Sequence, residues 1–411
     1  MSLSPTLNLR FVLIVSILVW LASFPVKGVS FQLSLYLLPV LILAFRHTRL
    51  LLKRNSSTIL CLFICFSLPL FLSELWSSIF NGVALSGDPF EIFWRLALFP
   101  LVLVAACDYS HFSLRWLQNS FVLFAVIYGT VGIAGLLLHT SLNGRPLGAR
   151  AVGVINNPNP FGLLMIVAFL ICFQRLFETV SKKEIFIFLP ACLLLLTAGV
   201  LSGSRSTLLG GVLGLMLLLF LQREDLIPFF VNKNKLLIFS GSIMLLFILA
   251  WLLWHSPLSY LPARIIGVFD GDTRDVRLQI WQHYLGFVRE NPLLGTSFGA
   301  ENRFHLRGQV YYGPHNMYLS VLVHSGIIGL SGLLLGLGLL IKRAISLKLH
   351  DRSLCLALLL LLCVFCFFNA PLYGNEMSQG VFAMIVIMIV GGDSLAKEEL
   401  TPLTSGVVTS R

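Results

Sequence analysis

The sequence predicts an all-α polytopic membrane protein with about twelve transmembrane helices, on three observations. Only 11% of its residues are charged, against 57% hydrophobic. A soluble domain carries roughly 25% charged residues, so this chain has too few to solvate a globule of its size. Apolar runs of about 20 residues recur along it, the length that crosses roughly 30 Å of hydrocarbon as helix. These runs are continuous rather than alternating, which favours helices over barrel strands.

The runs fall at 10–26, 29–45, 58–79, 91–107, 114–138, 160–176, 185–200, 206–221, 236–254, 316–341, 353–369 and 378–392. The first is followed by Pro25-Val26-Lys27-Gly28 and not by a small-residue cleavage site, so it reads as a retained span. An even number of spans puts both termini on one side. Lysine and arginine choose the side. Arg46, Arg49, Lys53 and Arg54, the Arg175–Lys183 cluster, Arg223–Lys235 and Lys342–Arg352 crowd the short connections of one face. The positive-inside rule makes that face, and both termini, cytoplasmic. The net charge of +11 is thereby explained by topology, with no nucleic-acid partner. The basic residues of the other face are Lys27, Arg95, Arg145, Arg150, Arg205, Arg264, Arg274, Arg277, Arg289, Arg303 and Arg307. All but the first are arginine, the planar donor suited to oxyanions. We read residues 1–411 as a single integral membrane domain, 255–314 as one long periplasmic loop containing short interfacial helices, and 393–411 as a cytoplasmic tail.

All eight cysteines lie in or beside apolar runs, so no disulfide framework is expected, and the Cys363–Cys366 spacing reads as buried thiols. No His, Cys, Asp and Glu cluster has metal-ligand spacing, so neither a metal site nor another cofactor is expected.

Four segments carry chemical potential. In Leu201-Ser-Gly-Ser-Arg205-Ser-Thr207, Ser204 or Ser206 can cap the next helix. An arginine costs roughly 2.5–3.5 kcal/mol at the centre of a span, so Arg205 marks an anion site better than a mere turn. Asp275 can cap a helix in which Ile280, Trp281, Tyr284, Phe287 and Val288 recur at helical spacing. Its expected place is the outer leaflet, aromatic face in the interface, with Arg277 in the first turn where free N–H groups favour anions. Tyr311-Tyr-Gly-Pro314-His315-Asn316 places an imidazole where the long loop re-enters the membrane, able to take a hydroxyl proton near neutral pH. His283, His305 and His324 compete for that role. In Arg150…Asn157-Pro-Asn159-Pro160, Asn159 reads as a cap and Pro160 as the first helical residue, which leaves Arg150 without a local purpose. The pairs Gly326–Gly329 and Gly332–Gly336 read as helix-packing sites.

In this order, Ser204-Arg205-Ser206, Arg277 with Trp281, Asn291-Pro292-Leu-Leu-Gly295, His315-Asn316 and Gly326 with Gly329 resemble the O-antigen ligase and polymerase superfamily, and Asn157-Pro158-Asn159 resembles its upstream signature. The likeness covers residues 145 to 335. It implies a GT-C-like membrane glycosyltransferase of the bacterial inner membrane. Such an enzyme moves a glycan from undecaprenyl diphosphate on the periplasmic side, without a metal ion. It further implies His315 as general base and Arg205 and Arg277 as diphosphate ligands, with Arg150, Arg264 and Arg274 as further candidates. Asn316 and Trp281 are expected to position the acceptor. The ligase reading attaches O-antigen to lipid A–core; the polymerase reading extends a glycan on its carrier. A lipid-linked sugar flippase or transporter is the competing class. It predicts ionisable groups in mid-span and discontinuous helices, whereas the spans look almost free of charge.

Overall fold

The computed structural model describes residues 5–23, 56–86, 90, 92, 94–110, 113–138, 150–152, 157–178, 181–224, 276–297, 303–306, 308–370 and 376–398. The predicted spans 29–45 and 236–254, the first part of the long loop with Arg264, Arg274 and Asp275, and the final residues of the chain lie outside these.

Two helices with no polar face form the centre. Helix α6 (Pro158–Glu178) is buried on every side from Pro160 to Cys172, and α12 (Glu376–Glu398) from Met377 to Val390. A helix apolar all round must be enclosed by others. The enclosing set comprises α1 (Pro5–Ser23), α2 (Ser56–Phe66), α3 (Leu68–Asn81), a π-helical turn (Trp94–Leu98) leading into α4 (Phe99–Ser110), α5 (Leu114–Leu137), α7 (Lys182–Leu201), α8 (Arg205–Leu221), α10 (Met317–Ile345) and α11 (Leu349–Phe368). Ser113 starts α5 by accepting a bond from the Trp116 N–H at 3.2 Å, an ordinary N-cap. Among the described residues, five helices are long and apolar enough to cross a membrane, or up to six if the bent pair α2–α3 is one span. Helix α12 runs on to Glu398, into the stretch expected to begin the tail.

Glycine sets the closest helix approaches. Gly210 and Gly214 of α8 lie against the backbone of Leu361 and Ala357 on α11, and Gly332 and Gly336 of α10 against Cys65 and Phe66 of α2. The Gly332–Gly336 packing expectation is therefore met.

Gly326 does something else. Helix α10 breaks there, with φ 62° and ψ −163°, a conformation essentially restricted to glycine. The turn at 292–297 lies alongside the break. Ile327 N donates to the Pro292 carbonyl at 2.9 Å and Ile328 N to Leu293 at 3.3 Å, while Thr296 N and Ser297 N donate to Val323 at 2.8 Å and His324 at 3.1 Å. The Ser73 hydroxyl of α3 adds a bond to the His324 carbonyl at 2.5 Å. Gly295, itself at φ 69°, abuts the Val323–His324 backbone, and Gly326 abuts that of Leu293–Leu294. Neither position has room for a Cβ.

Two expectations about the spans change here. A discontinuous helix is present, but protein backbone and hydroxyls close it. Ionisable groups are also buried within apolar segments. Glu74 of α3 is 3% exposed and accepts from Ser86 N at 3.1 Å and Ser86 Oγ at 3.2 Å. Arg95, 7% exposed in the π-helical turn, donates to Gln379 Oε1 at 2.7 Å. Each is held by a fixed partner.

Gly326→Ala is expected to lower stability by at least about 2 kcal/mol, because it adds a Cβ to a glycine-only conformation against backbone. Gly338→Ala on the open face of the same helix, where a Cβ meets nothing within 4 Å, is expected to cost nothing. Thermal unfolding of the purified protein in detergent compares the two; equal midpoints would contradict this account of the break.

Candidate functional site

Five segments meet at one end of the bundle: the start of α6, the 202–207 turn, the helix at Val276–Glu290, the start of α10 and the C-terminal end of α11. Their residues build two halves of a site joined by Phe367 and Phe368 of α11 and the following Asn369.

The first half is a polar network. Helix α6 begins at Pro158, two residues earlier than the sequence reading placed it. Asn157, not Asn159, closes the start, with its Oδ1 accepting the Asn159 N–H at 3.1 Å. The repeated Asn-Pro offers the same capping chemistry in two registers, and the chain uses the earlier one. This releases the Asn159 side chain. Its Oδ1 accepts from Arg150 Nη2 at 3.0 Å and its Nδ2 donates to Asn369 Oδ1 at 3.1 Å. Arg150 Nε also donates to the Ser202 carbonyl at 2.7 Å, and Ala151 N to Leu201 at 2.9 Å. Arg150 thus ties its own strand of chain to the 202–207 turn.

Ser204 occupies the N-cap position of α8, as expected, but its hydroxyl pairs with Thr207 Oγ1 at 2.7 Å and not with the backbone. Asn369 Nδ2 donates to Ser206 Oγ at 2.9 Å. Arg205 is the first residue of α8, half-buried, and makes no hydrogen bond or ion pair with any described residue. Its guanidinium stands at a helix N-terminus whose hydroxyls are already satisfied by one another.

The second half rests on α9 (Val276–Glu290). The sequence reading laid its aromatic face in the lipid interface; the structure turns that face onto protein. Ile280 and Tyr284 are almost fully buried against Leu319 and Val323 of α10. A hairpin of β1 (Phe304–Leu306) and β2 (Gln309–Tyr311) covers the other side, with Phe304 stacked on His283 at 4.4 Å and the Tyr311 carbonyl accepting from Tyr284 Oη at 3.2 Å. Arg277 sits in the first turn of α9, its guanidinium carbon 5.8 Å from the centre of the Phe368 ring. Trp281 packs edge-on to Phe367 at 5.7 Å and donates from Nε1 to the Pro314 carbonyl at 2.8 Å.

That last bond fixes the residue before His315. His315 itself adopts a left-handed φ of 51°, and Asn316 caps α10 by accepting the Leu319 N–H at 3.0 Å. The turn therefore holds the imidazole from both sides. The residue is exposed, yet partial burial, and then the nearby Arg277 charge, hold its pKa below the ordinary 6.5. The competing histidines are placed otherwise. His283 is stacked under the hairpin, His305 is exposed on it, and His324 donates through Nδ1 to the Ser297 carbonyl at 2.9 Å inside the helix break.

The structure thus brings Arg150, Arg205, Arg277, Trp281, His315 and Asn316 to one end of the bundle, whereas Arg264 and Arg274 lie outside the described residues. Residues 190–334 match the family model described as O-antigen ligase. That match supports the O-antigen ligase superfamily. No curated protein matches the chain. The O-antigen ligase segment contains Arg205, Arg277, Trp281, His315, Asn316 and both glycines of the helix break. Arg150 and the α11 residues lie outside it. Sequence reasoning missed Phe367, Phe368 and Asn369, which link Trp281 and Arg277 to the Arg205 turn. The one available signal was an amide placed directly after an uninterrupted apolar run.

The low pKa of His315 keeps the ring neutral at lower pH than a free imidazole. Removing the Arg277 charge removes the second of its two causes. Titration of the His315 ring by NMR is expected to show a midpoint below 6.5 in the wild type and a higher one in Arg277→Gln. An unchanged midpoint would separate the two groups.

Proposed function

We propose that the chain is an O-antigen ligase of the bacterial inner membrane, acting on the periplasmic side with both termini cytoplasmic. It transfers a glycan from undecaprenyl diphosphate to lipid A–core. The observation that carries the reading is the meeting of a half-buried Arg205, with no hydrogen bond or ion pair to any described residue, an Arg277 and a His315 of lowered pKa around the end of α11, inside the O-antigen ligase match.

In this reading His315 accepts the proton of an acceptor hydroxyl. The freed oxygen pair forms a bond to the anomeric carbon of the donor glycan, and the bond from that carbon to the diphosphate breaks. Undecaprenyl diphosphate leaves with the electron pair, and His315 later releases its proton to solvent. Negative charge on the leaving group grows as the bond breaks. Guanidinium groups placed there favour the transition state over the ground state. Arg205 and Arg277 take that task, with Arg264 and Arg274 as further donors on sequence grounds. Arg150, already engaged with Ser202 and Asn159, braces the Arg205 turn and is assigned no direct ligand role. Trp281 and Asn316 position His315 through the Pro314 carbonyl and the α10 cap.

Deleting the gene in its host and resolving the lipopolysaccharide on a gel tests the activity. Free lipid A–core with polymer accumulating on the carrier is expected. Core bearing a single repeat would mean a polymerase, and unchanged lipopolysaccharide would overturn the ligase reading. Within the site, His315→Ala is expected to reduce transfer about 100-fold or more with membrane insertion intact. Arg205→Lys is expected to be severely impaired, because an ammonium cannot form a bidentate fork. Normal transfer by either variant removes that residue from the mechanism.

A further inference from the structure

Helix α8 is held at both ends by side-chain bonds to its neighbours. At the end that carries Arg205, Asn369 reaches Ser206. At the other end, about 26 Å away over 17 residues of helix, Gln222 Nε2 donates to Gln174 Oε1 of α6 at 2.7 Å. That bond opens a longer chain. Gln174 Nε2 donates to Glu178 Oε1 at 3.2 Å, Arg175 Nη1 to Glu178 Oε2 at 2.8 Å, and Arg175 Nη2 to Gln118 Oε1 of α5. Gln118, Gln174, Arg175 and Gln222 are all buried. Between its two ends the buried face of α8 is smooth. It consists of Ser206, Thr207, Gly210, Gly211, Gly214 and Leu218. The three glycines lie against Leu361 and Ala357 of α11 and Ile166 of α6. Ridges of side chains seated in grooves set the register of packed helices, and on this face Leu218 is the one bulky side chain.

We propose, on the reading of Arg205 as a diphosphate ligand, that Gln222 and Gln174 are positioning residues for the donor. Their bond fixes the register of α8 along its axis and so sets, from the opposite end of the bundle, where the Arg205 guanidinium stands. Stability alone does not account for the pair. The buried Gln222 Oε1 has no hydrogen-bond partner, and an unmet buried acceptor costs about 1–3 kcal/mol. An apolar side chain of the same length would avoid that cost. What the amide supplies is a fixed direction and distance to one acceptor, and that acceptor is itself anchored. Gln174 is tied through Glu178 and Arg175 to Gln118, so α8 is referred to a frame made of α5 and α6. A slip of one residue along α8 displaces Arg205 by about 1.5 Å. Misplacement on the order of 1 Å is enough to cost about 100-fold in rate. The amide chain touches none of the residues of the transfer site, and its effect on that site passes along the axis of α8.

Binding of undecaprenyl diphosphate to the full-length protein in nanodiscs, with no acceptor present, tests the proposal. Gln222→Met and Gln174→Met are each expected to weaken binding about tenfold. In an Arg205→Gln background neither is expected to weaken it further, because a residue that acts through Arg205 then has nothing left to position. Gly336→Ala serves as the comparison for stability. It crowds Phe66 of α2 against α10, a contact that α8 does not share. It is expected to lower the thermal unfolding midpoint while donor affinity stays that of the wild type. Wild-type affinity in both glutamine variants overturns the proposal. So does a loss of the same size in the Arg205→Gln background, and so does a loss that Gly336→Ala reproduces. Arg205→Gln protein that binds undecaprenyl diphosphate as tightly as the wild type overturns the diphosphate reading and, with it, the positioning role built on it.

Discussion

A helix that breaks inside a low-dielectric layer frees backbone donors and acceptors that lipid cannot satisfy, each at a cost of several kcal/mol. In this protein that constraint acts at Gly326. The groups freed in α10 are taken up by the 292–297 turn, with Ser73 adding one bond from α3. The geometry is reciprocal. Gly295 leaves space for the α10 backbone and Gly326 for the backbone of the turn. Since the turn directly follows α9, the break fixes where α9 ends. Burial of Ile280 and Tyr284 against α10 fixes its rotation. Arg277 and His315, far apart in sequence, are thereby held on two rigidly joined elements.

A second joint brings in the Arg205 turn. The end of α11 presents Phe367 and Phe368 to Trp281 and Arg277, and Asn369 to Asn159 and Ser206. Polar contacts of this kind contribute only about 0.6 kcal/mol each on average in membrane proteins. Their value lies in direction. Hydroxyls at the start of α8 are occupied by Asn369 and by one another, while the guanidinium of Arg205 is engaged by none of the described residues. A site built at span ends in this way keeps its charges near the surface, where desolvation costs less than at mid-bilayer.

Much of this was legible in the sequence. Composition and run length gave the helical membrane class, because lipid demands both. Arg277 in a first turn and the Gly332–Gly336 contact followed from helical spacing. Asn316 at a helix start lay beside a loop re-entering an apolar run. What spacing could not reveal was the side of α9 that faces protein. An amphipathic pattern is the same whether its apolar face meets lipid or a neighbouring helix. The Asn-Pro-Asn-Pro string hid the start of α6, since both registers satisfy the same capping rule. Glu74 and Arg95 escaped notice because their partners, Ser86 and Gln379, lie in other segments. The helix break was misread as packing for a related reason. A glycine that permits close approach and one that permits a forbidden φ look identical in one dimension.

Arg205 and Arg277, on separate elements, are proposed to act on one leaving group. A double-mutant cycle measures this directly, comparing kcat/KM for transfer in the wild type, Arg205→Gln, Arg277→Gln and the double variant. Groups that share a ligand couple, and the account predicts a coupling energy of about 1 kcal/mol or more. Losses that add to within about 0.5 kcal/mol would show the two arginines acting independently and would contradict it.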